Sequence, residues 1–375
     1  MAGLILSCKN TSMLTLVVVV LFMFVNISSS RRHDGDKPSY EIVSSTSVIG
    51  TVTSAPKLKS PISSAASTAI HSETIAGLDV MWQVPTRAPA KGLLLLFHGC
   101  SHSASDFFEC EDCLGLPEER TIVVESLEFG LAVASISSGD RHFSRCWSRG
   151  DIAPTIRIID VLQTRLLLLN RPLFAIGASS GGGFVGKLVT AMKPESFAGV
   201  SSQIMGWGGD VFRKDPWTEW PPAVEFVTMT RDSWTDQTVR ENVDICKKLG
   251  VTVSHRKCPP LKMSPTFFSD RTKWASAKIT EETSAEIYRA LLHAGFVDKT
   301  SSLLLEDPRD SDWRMLLQRF SPAIEGIEDV QMGPDESAIS EVMNVAWAMH
   351  EISSGDIAIT LEFFRRAAGE AWKGT

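Results

Sequence analysis

The stretch that most constrains this chain runs from Leu173 to Val189. Leu173-Phe174-Ala175-Ile176 leads into Gly177-Ala178-Ser179-Ser180-Gly181, and a helix-compatible run, Gly182 to Val189, follows. A strand that turns sharply into a helix crowds the backbone on both sides of its central residue, so only residues with little or no Cβ fit there. In that context G-x-S-x-G holds its serine on a strained turn with the hydroxyl exposed. The free N–H groups and the dipole of the helix that follows favour negative charge beside Ser179.

A Gly/Ser-rich turn by itself is only a turn, and a second motif upstream adds to it. Leu93-Leu94-Leu95-Leu96-Phe97 reads as a buried strand that runs directly into His98-Gly99-Cys100-Ser101. A loop in that position supplies the second donor of an oxyanion hole. The expected donors are the backbone N–H of Ser180 and that of Cys100 or Ser101. Around the two motifs, strands and helices alternate. Strands are predicted at Leu78–Val84, Leu131–Ile136, Phe197–Ser201, Val224–Met229 and Val251–Ser254. Helices are predicted at Glu118–Phe129, Ile156–Leu168 and Thr235–Leu249. This alternation implies an α/β fold, a mostly parallel central sheet with helices on both faces. It breaks down over about 257–335, which reads as a helical insertion before the last helices: a cap over the site, or a segment packed on an edge. Two helices, Glu336–His350 and Ile357–Ala371, finish the chain.

The N-terminus reads separately from the fold. No charged residue occurs from Asn10 to Ser30, and the apolar centre is Leu14 to Val25. A stretch of about 20 such residues can span a bilayer, and its apolar part also fits a secretory signal. Residues 1–30 are therefore expected to be a signal anchor or signal peptide, which makes the protein membrane-anchored or secretory. Residues 31–70, rich in Ser and Thr, are expected to be a linker, and 71–375 the folded domain. The formal net charge of −7 argues against nucleic acid as a partner. Six cysteines lie within the domain, Cys110 and Cys113 as C-x-x-C. Disulfides or plain buried thiols are expected ahead of a structural zinc, because no second such pair exists.

A nucleophilic serine needs a base, and the base needs a carboxylate to orient it. With an elbow serine on such a sheet, the chain order is serine, acid, histidine. Only His255, His293 and His350 follow Ser179. His293 lies in a helical pattern, and His255 is flanked by Arg256 and Lys257. His350 sits in a turn before the last long helix and is the first choice, with His255 second. Past the strand ending at Met229, Asp232 is preferred as the acid and Asp236 is the alternative.

Phe97 to Phe107, reading F-H-G-C-S-H-S-A-S-D-F, resembles a segment of the polyhydroxybutyrate-depolymerase-like and feruloyl-esterase-like members of the α/β-hydrolase superfamily. Gly177 to Gly182 resembles their G-x-S-x-G-G, and Pro194 to Val200 their P-x-x-F-A-x-V. The stretch with Cys110, Cys113 and Cys146-Trp147 looks like an uncharacterised eukaryotic branch. The resemblance implies an α/β-hydrolase fold and a serine carboxylesterase with Ser179 as nucleophile, requiring no cofactor. The expected substrate is a small-molecule or polymeric ester, with membrane contact through the N-terminal segment. Trp207 and Trp234 are candidates to line its pocket, together with Trp217 and Trp220. The rival readings are a catalytically silent binding module tethered to a membrane, and an acyltransferase or peptidase using the same site.

Overall fold

The computed structural model describes residues 69–193, 196–213, 223–320 and 337–373. The chain divides between Pro61 and Ile62, and all described residues belong to the second unit. The expected signal segment, nearly all of the expected linker, Trp217 and Trp220 lie outside the described residues. Among the described residues no helix is long and apolar enough to cross a membrane.

Eight strands form one sheet: β1 (His71–Ile75), β2 (Leu78–Gln83), β3 (Leu93–Phe97), β4 (Ala132–Ile136), β5 (Leu173–Ala178), β6 (Gly199–Gln203), β7 (Ala223–Met229) and β8 (Thr252–Cys258). Their order is β1-β2-β4-β3-β5-β6-β7-β8. β1 and β2 form an antiparallel hairpin, β2 pairs antiparallel with β4, and every later pairing is parallel. The helices are α1 (Pro117–Phe129), α2 (Ile152–Arg165), α3 (Ser180–Ala191), α4 (Ser233–Lys248), α5 (Phe267–Arg271), α6 (Glu281–Ala294), α7 (Trp313–Phe320), α8 (Ala338–Trp347), α9 (Ile357–Ala368) and α10 (Glu370–Lys373).

The run Leu93–Phe97 is apolar at every position because β3 is covered on both faces, as parallel strands are. Leu93, Leu95 and Phe97 join one core with Ile158 and Ile159 of α2, Phe184 and Leu188 of α3, and Val239 of α4. Leu94 and Leu96 join the opposite core with Ile122 and Val123 of α1, Leu361 and Phe364 of α9, and Trp372 of α10. The segment expected as an insertion has a core of its own. Phe268, Ile287, Leu291 and Trp313 pack there against Ile339, Val342 and Met343 of α8. That helix therefore joins the insertion to the loop that carries His350.

Several bounds differ by a few residues from those read in the sequence, the helix expected to run to His350 ending at Trp347, and two differences are larger. β1 was not anticipated, because His71-Ser72-Glu73-Thr74-Ile75 is short and largely exposed; the Ala76-Gly77 turn, both residues at positive φ, folds it back onto β2. β8 continues to Cys258, because its pairing with β7 runs on to Met229. His255 therefore lies inside the strand rather than at its end.

Candidate active site

Ser179 follows the last residue of β5 and precedes the first of α3. Its backbone has φ 49° and ψ −117°, a conformation that costs a non-glycine residue about 1–3 kcal/mol. The flanking glycines have steric reasons. A Cβ on Gly177 would stand 2.3 Å from the carbonyl oxygen of Gly181, and one on Gly181 would stand 2.3 Å from that of Phe97. The turn is pinned from β6, since Ser179 N–H donates to Gln203 O at 3.0 Å.

His350 Nε2 lies 3.0 Å from Ser179 Oγ, and His350 Nδ1 lies 2.7 Å from Asp232 Oδ2. A carboxylate can only accept, which assigns the proton to Nδ1 and leaves Nε2 free to accept from the serine hydroxyl. The other oxygen of Asp232 accepts the N–H of Thr235 at 3.1 Å, so the same carboxylate caps α4. The two loops are tied together where Arg231 N–H donates to Ala348 O at 3.1 Å. His350 itself has φ 45°, and its carbonyl accepts from Arg309 at 3.1 Å.

The sheet exchanges β3 and β4 in its order, the elbow closes β5, the loop after β3 runs beside it, and Asp232 and His350 follow β7 and α8. This is the α/β-hydrolase fold. In this α/β-hydrolase fold, the loop after β3 is held by several bonds. His98 is buried; its Nδ1–H donates to Gly99 O at 2.6 Å, and its Nε2 accepts the N–H of Ser138 at 3.0 Å. Burial pushes its pKa down to about 4, consistent with a neutral ring that serves as scaffold. Trp147 Nε1–H donates to His98 O at 3.0 Å, and a disulfide joins Cys100 to Cys146. The second disulfide joins Cys110 to Cys113, while Cys246 and Cys258 are free thiols.

These bonds choose between the proposed oxyanion donors. Ser101 N–H already donates to Ser144 O at 2.8 Å, which removes Ser101 from the set. The N–H of Ser180, in the unsatisfied first turn of α3, and that of Cys100 remain. The Cys100–Cys146 bond ties down the residue that carries the second of these. Losing one oxyanion donor costs about 100- to 1,000-fold in rate. Cys146→Ala, which only loosens such a donor, is expected to slow labelling of Ser179 by a fluorophosphonate about tenfold or more. An unchanged labelling rate would separate the disulfide from the site.

Other residues singled out in the sequence lie elsewhere. Asp236 is held by Lys257 Nζ at 2.7 Å and by Thr228 Oγ1 at 3.2 Å, and lies 3.4 Å from His255. His255 Nε2 bonds Thr228 Oγ1 at 2.9 Å. The pair forms a knot between β7, β8 and α4, because the longer β8 carries His255 away from the elbow. Trp207 is only 2% exposed, with its indole N–H donating to Gly182 O at 3.0 Å. It packs beneath α3 as core. Trp234 is 77% exposed on the first turn of α4. Neither tryptophan lines the cavity at Ser179.

That cavity has a volume of about 300 Å³, and besides Ser179, His350 and Cys100 its lining includes His102, Glu119, Ile204, Arg309 and Glu351. None of these five was assigned to the active site from the sequence; His102 was weighed only as a possible zinc ligand. His102 Nδ1 pairs with Asp106 Oδ2 at 2.9 Å. Burial opposes the imidazolium, but the Asp106 hydrogen bond and charge outweigh it and hold the pKa up to about 9. Arg309 pairs with Glu351 at 3.2 Å. Glu119 was hidden by its neighbour: Glu118-Glu119 reads as acids complementing a helix N-terminus. The available signal was periodicity, since Glu119 shares the spacing of the buried residues Ile122, Val123 and Ser126.

No family model matches the chain, and no curated protein does. Among solved structures it is similar to TT1662 from Thermus thermophilus, at 17% identity over 52% of this chain and 90% of that one, with a TM-score of 0.38. It is also similar to a carboxylesterase from Mesorhizobium loti, at 13% identity over 50% and 88%, with a TM-score of 0.38. For an acylaminoacyl peptidase from Pyrococcus horikoshii the values are 11%, 51% and 37%, with a TM-score of 0.37. The strand order and the elbow, not these likenesses, define the fold.

Proposed function

We propose that this protein is a serine hydrolase that cleaves carboxylic esters through an acyl-enzyme on Ser179. The observation that carries the reading is the continuous relay from Ser179 Oγ through His350 to Asp232, with links of 3.0 Å and 2.7 Å. His350 Nε2 takes the hydroxyl proton as Ser179 Oγ attacks the ester carbonyl, and the oxyanion rests on the N–H groups of Ser180 and Cys100. The alkoxide leaves as an alcohol, with the proton from His350. A water then gives His350 a proton and attacks the acyl carbon, and collapse releases the carboxylic acid and Ser179. Each step uses groups of this chain, substrate and water.

The His350 side chain is 43% exposed, which supports water as the second nucleophile over transfer to another acceptor. An intact relay speaks against a silent binding module. The two disulfides support the reading that the domain folds in an oxidising compartment, reached through residues 1–30 as signal or anchor.

A fluorophosphonate probe is expected to label the wild-type chain at Ser179 and to leave Ser179→Ala unlabelled, read by mass spectrometry of the modified peptide. Equal labelling of both would overturn the assignment.

A further inference from the structure

His102 stands on the wall of the cavity at Ser179 and has no part in the relay. Its ring is fixed from behind: Nδ1 meets Asp106 Oδ2 at 2.9 Å. Asp106 is 3% exposed. It is held in turn by the N–H of Ser103 at 3.1 Å and the hydroxyl of Ser103 at 3.0 Å.

The opposite edge of the ring faces the nucleophile. A Cβ on Gly99 would stand 3.7 Å from His102 Cδ2 and 3.7 Å from Ser179 Cβ, so those two atoms are at most twice that far apart. Cδ2 is bonded to Nε2, which puts that nitrogen on the same edge. Nε2 has no hydrogen-bond partner among the described residues and is not enclosed by protein. With Nδ1 committed to Asp106, it offers the cavity one N–H.

The groups on the cavity wall favour an anion. Burial opposes a charge on the His102 ring, but the hydrogen bond and charge of Asp106 outweigh it and keep the ring an imidazolium, in which both nitrogens are donors. Arg309 lines the same cavity, and its Nε makes no hydrogen bond among the described residues. Two acids are also present. Glu351 has both oxygens engaged, Oε1 by Ile352 N–H at 3.1 Å and Oε2 by Asn344 Nδ2 at 3.0 Å and by Arg309. Burial pushes the Glu119 carboxyl up to about 8, so it carries little charge at pH 7. The lining therefore sets two cations against one carboxylate, with Asp106 behind it. One negative charge on a ligand closes that difference.

We infer that His102 Nε2–H receives a carboxylate carried by the substrate, which makes His102 the residue that selects among esters. The inference rests on the esterase reading and narrows it to carboxylic esters that bear a free acid a few bonds from the scissile carbonyl. A neutral ester can take only the hydrogen bond. A carboxylate takes a charge-assisted one, about twice as strong, with Arg309 as a second cation on the same wall.

The test uses monoethyl succinate, which carries a carboxylate two methylenes from its ester, and diethyl succinate, which carries none. Binding is followed by ligand-observed NMR titration on Ser179→Ala at pH 7, so that no turnover intervenes. The monoanion is expected to bind about tenfold or more tightly than the diester. Adding His102→Gln, which keeps an N–H donor without the charge, should weaken the monoanion about tenfold and leave the diester within about twofold. A crystal structure of Ser179→Ala with monoethyl succinate should place the carboxylate within about 3 Å of His102 Nε2. That measurement leaves the His102 ring intact, so it decides the matter should His102→Gln fail to fold. Equal binding of the two esters, a carboxylate seated elsewhere, or a preference untouched in folded His102→Gln would overturn the inference. Because every readout is binding, failure of the wild-type chain to cleave esters would sink the esterase reading separately.

Discussion

His350→Ala is expected to lower the rate of ester hydrolysis by about 10,000-fold or more, the scale on which serine relays fail when the base is removed. Residual rate would come from the oxyanion donors and binding alone. The companion change, Asp232→Asn, separates chemistry from architecture. Asp232 Oδ1 caps α4 through the Thr235 N–H, and asparagine caps a helix as well as aspartate does. Stability should therefore change by less than about 1 kcal/mol. The imidazole, however, loses the acceptor that fixes its proton on Nδ1, and the rate should fall about 10,000-fold. Asp236→Asn should show the reverse, since it meets Lys257, Arg240 and His255 but not His350. Its effect should appear in the denaturation midpoint, with the rate nearly intact. If Asp236→Asn removed the activity and Asp232→Asn did not, the acid would have been misassigned.

Gly181→Ala should be the most damaging small change to the fold. The added carbon would lie 2.3 Å from Phe97 O and 2.5 Å from His98 O. Both oxygens are main chain, so neither can rotate aside. The end of β3 would have to move, and with it the loop that carries Cys100. A cost of about 3–5 kcal/mol is expected, at the upper end for single substitutions, measured as a lower urea midpoint at unchanged slope. Gly183→Ala is the control on the same helix. Its Cβ would meet only Met205 Cγ at 3.6 Å, ordinary contact, and alanine is the better helix former by about 1 kcal/mol. It should be neutral or stabilising. Equal losses at both positions would refute the steric account of the elbow.

The parts legible in the sequence share a property. Leu93–Phe97, the elbow and the order serine, acid, histidine are set by short-range sterics and chain order, which one sequence displays. The alternation of strands and helices was likewise visible, because both faces of the sheet are covered and the helices carry apolar stripes. What stayed hidden depends on contacts distant in the chain. Glu119 and Glu351 line one cavity from positions 232 apart by their numbers, and nothing local marks either. The free choice between Cys100 and Ser101 was settled by Ser144, whose carbonyl takes the Ser101 N–H. Trp207 and Trp234 sit in similar loop-edge contexts, yet one is core and the other solvent-facing. Position after a strand does not encode which.

The backbone at Ser179, at φ 49° and ψ −117°, sets thermal endurance against reactivity. A glycine there would relax without strain and would abolish the hydroxyl with it. Any selection of this chain for heat resistance alone will favour variants that have lost their nucleophile.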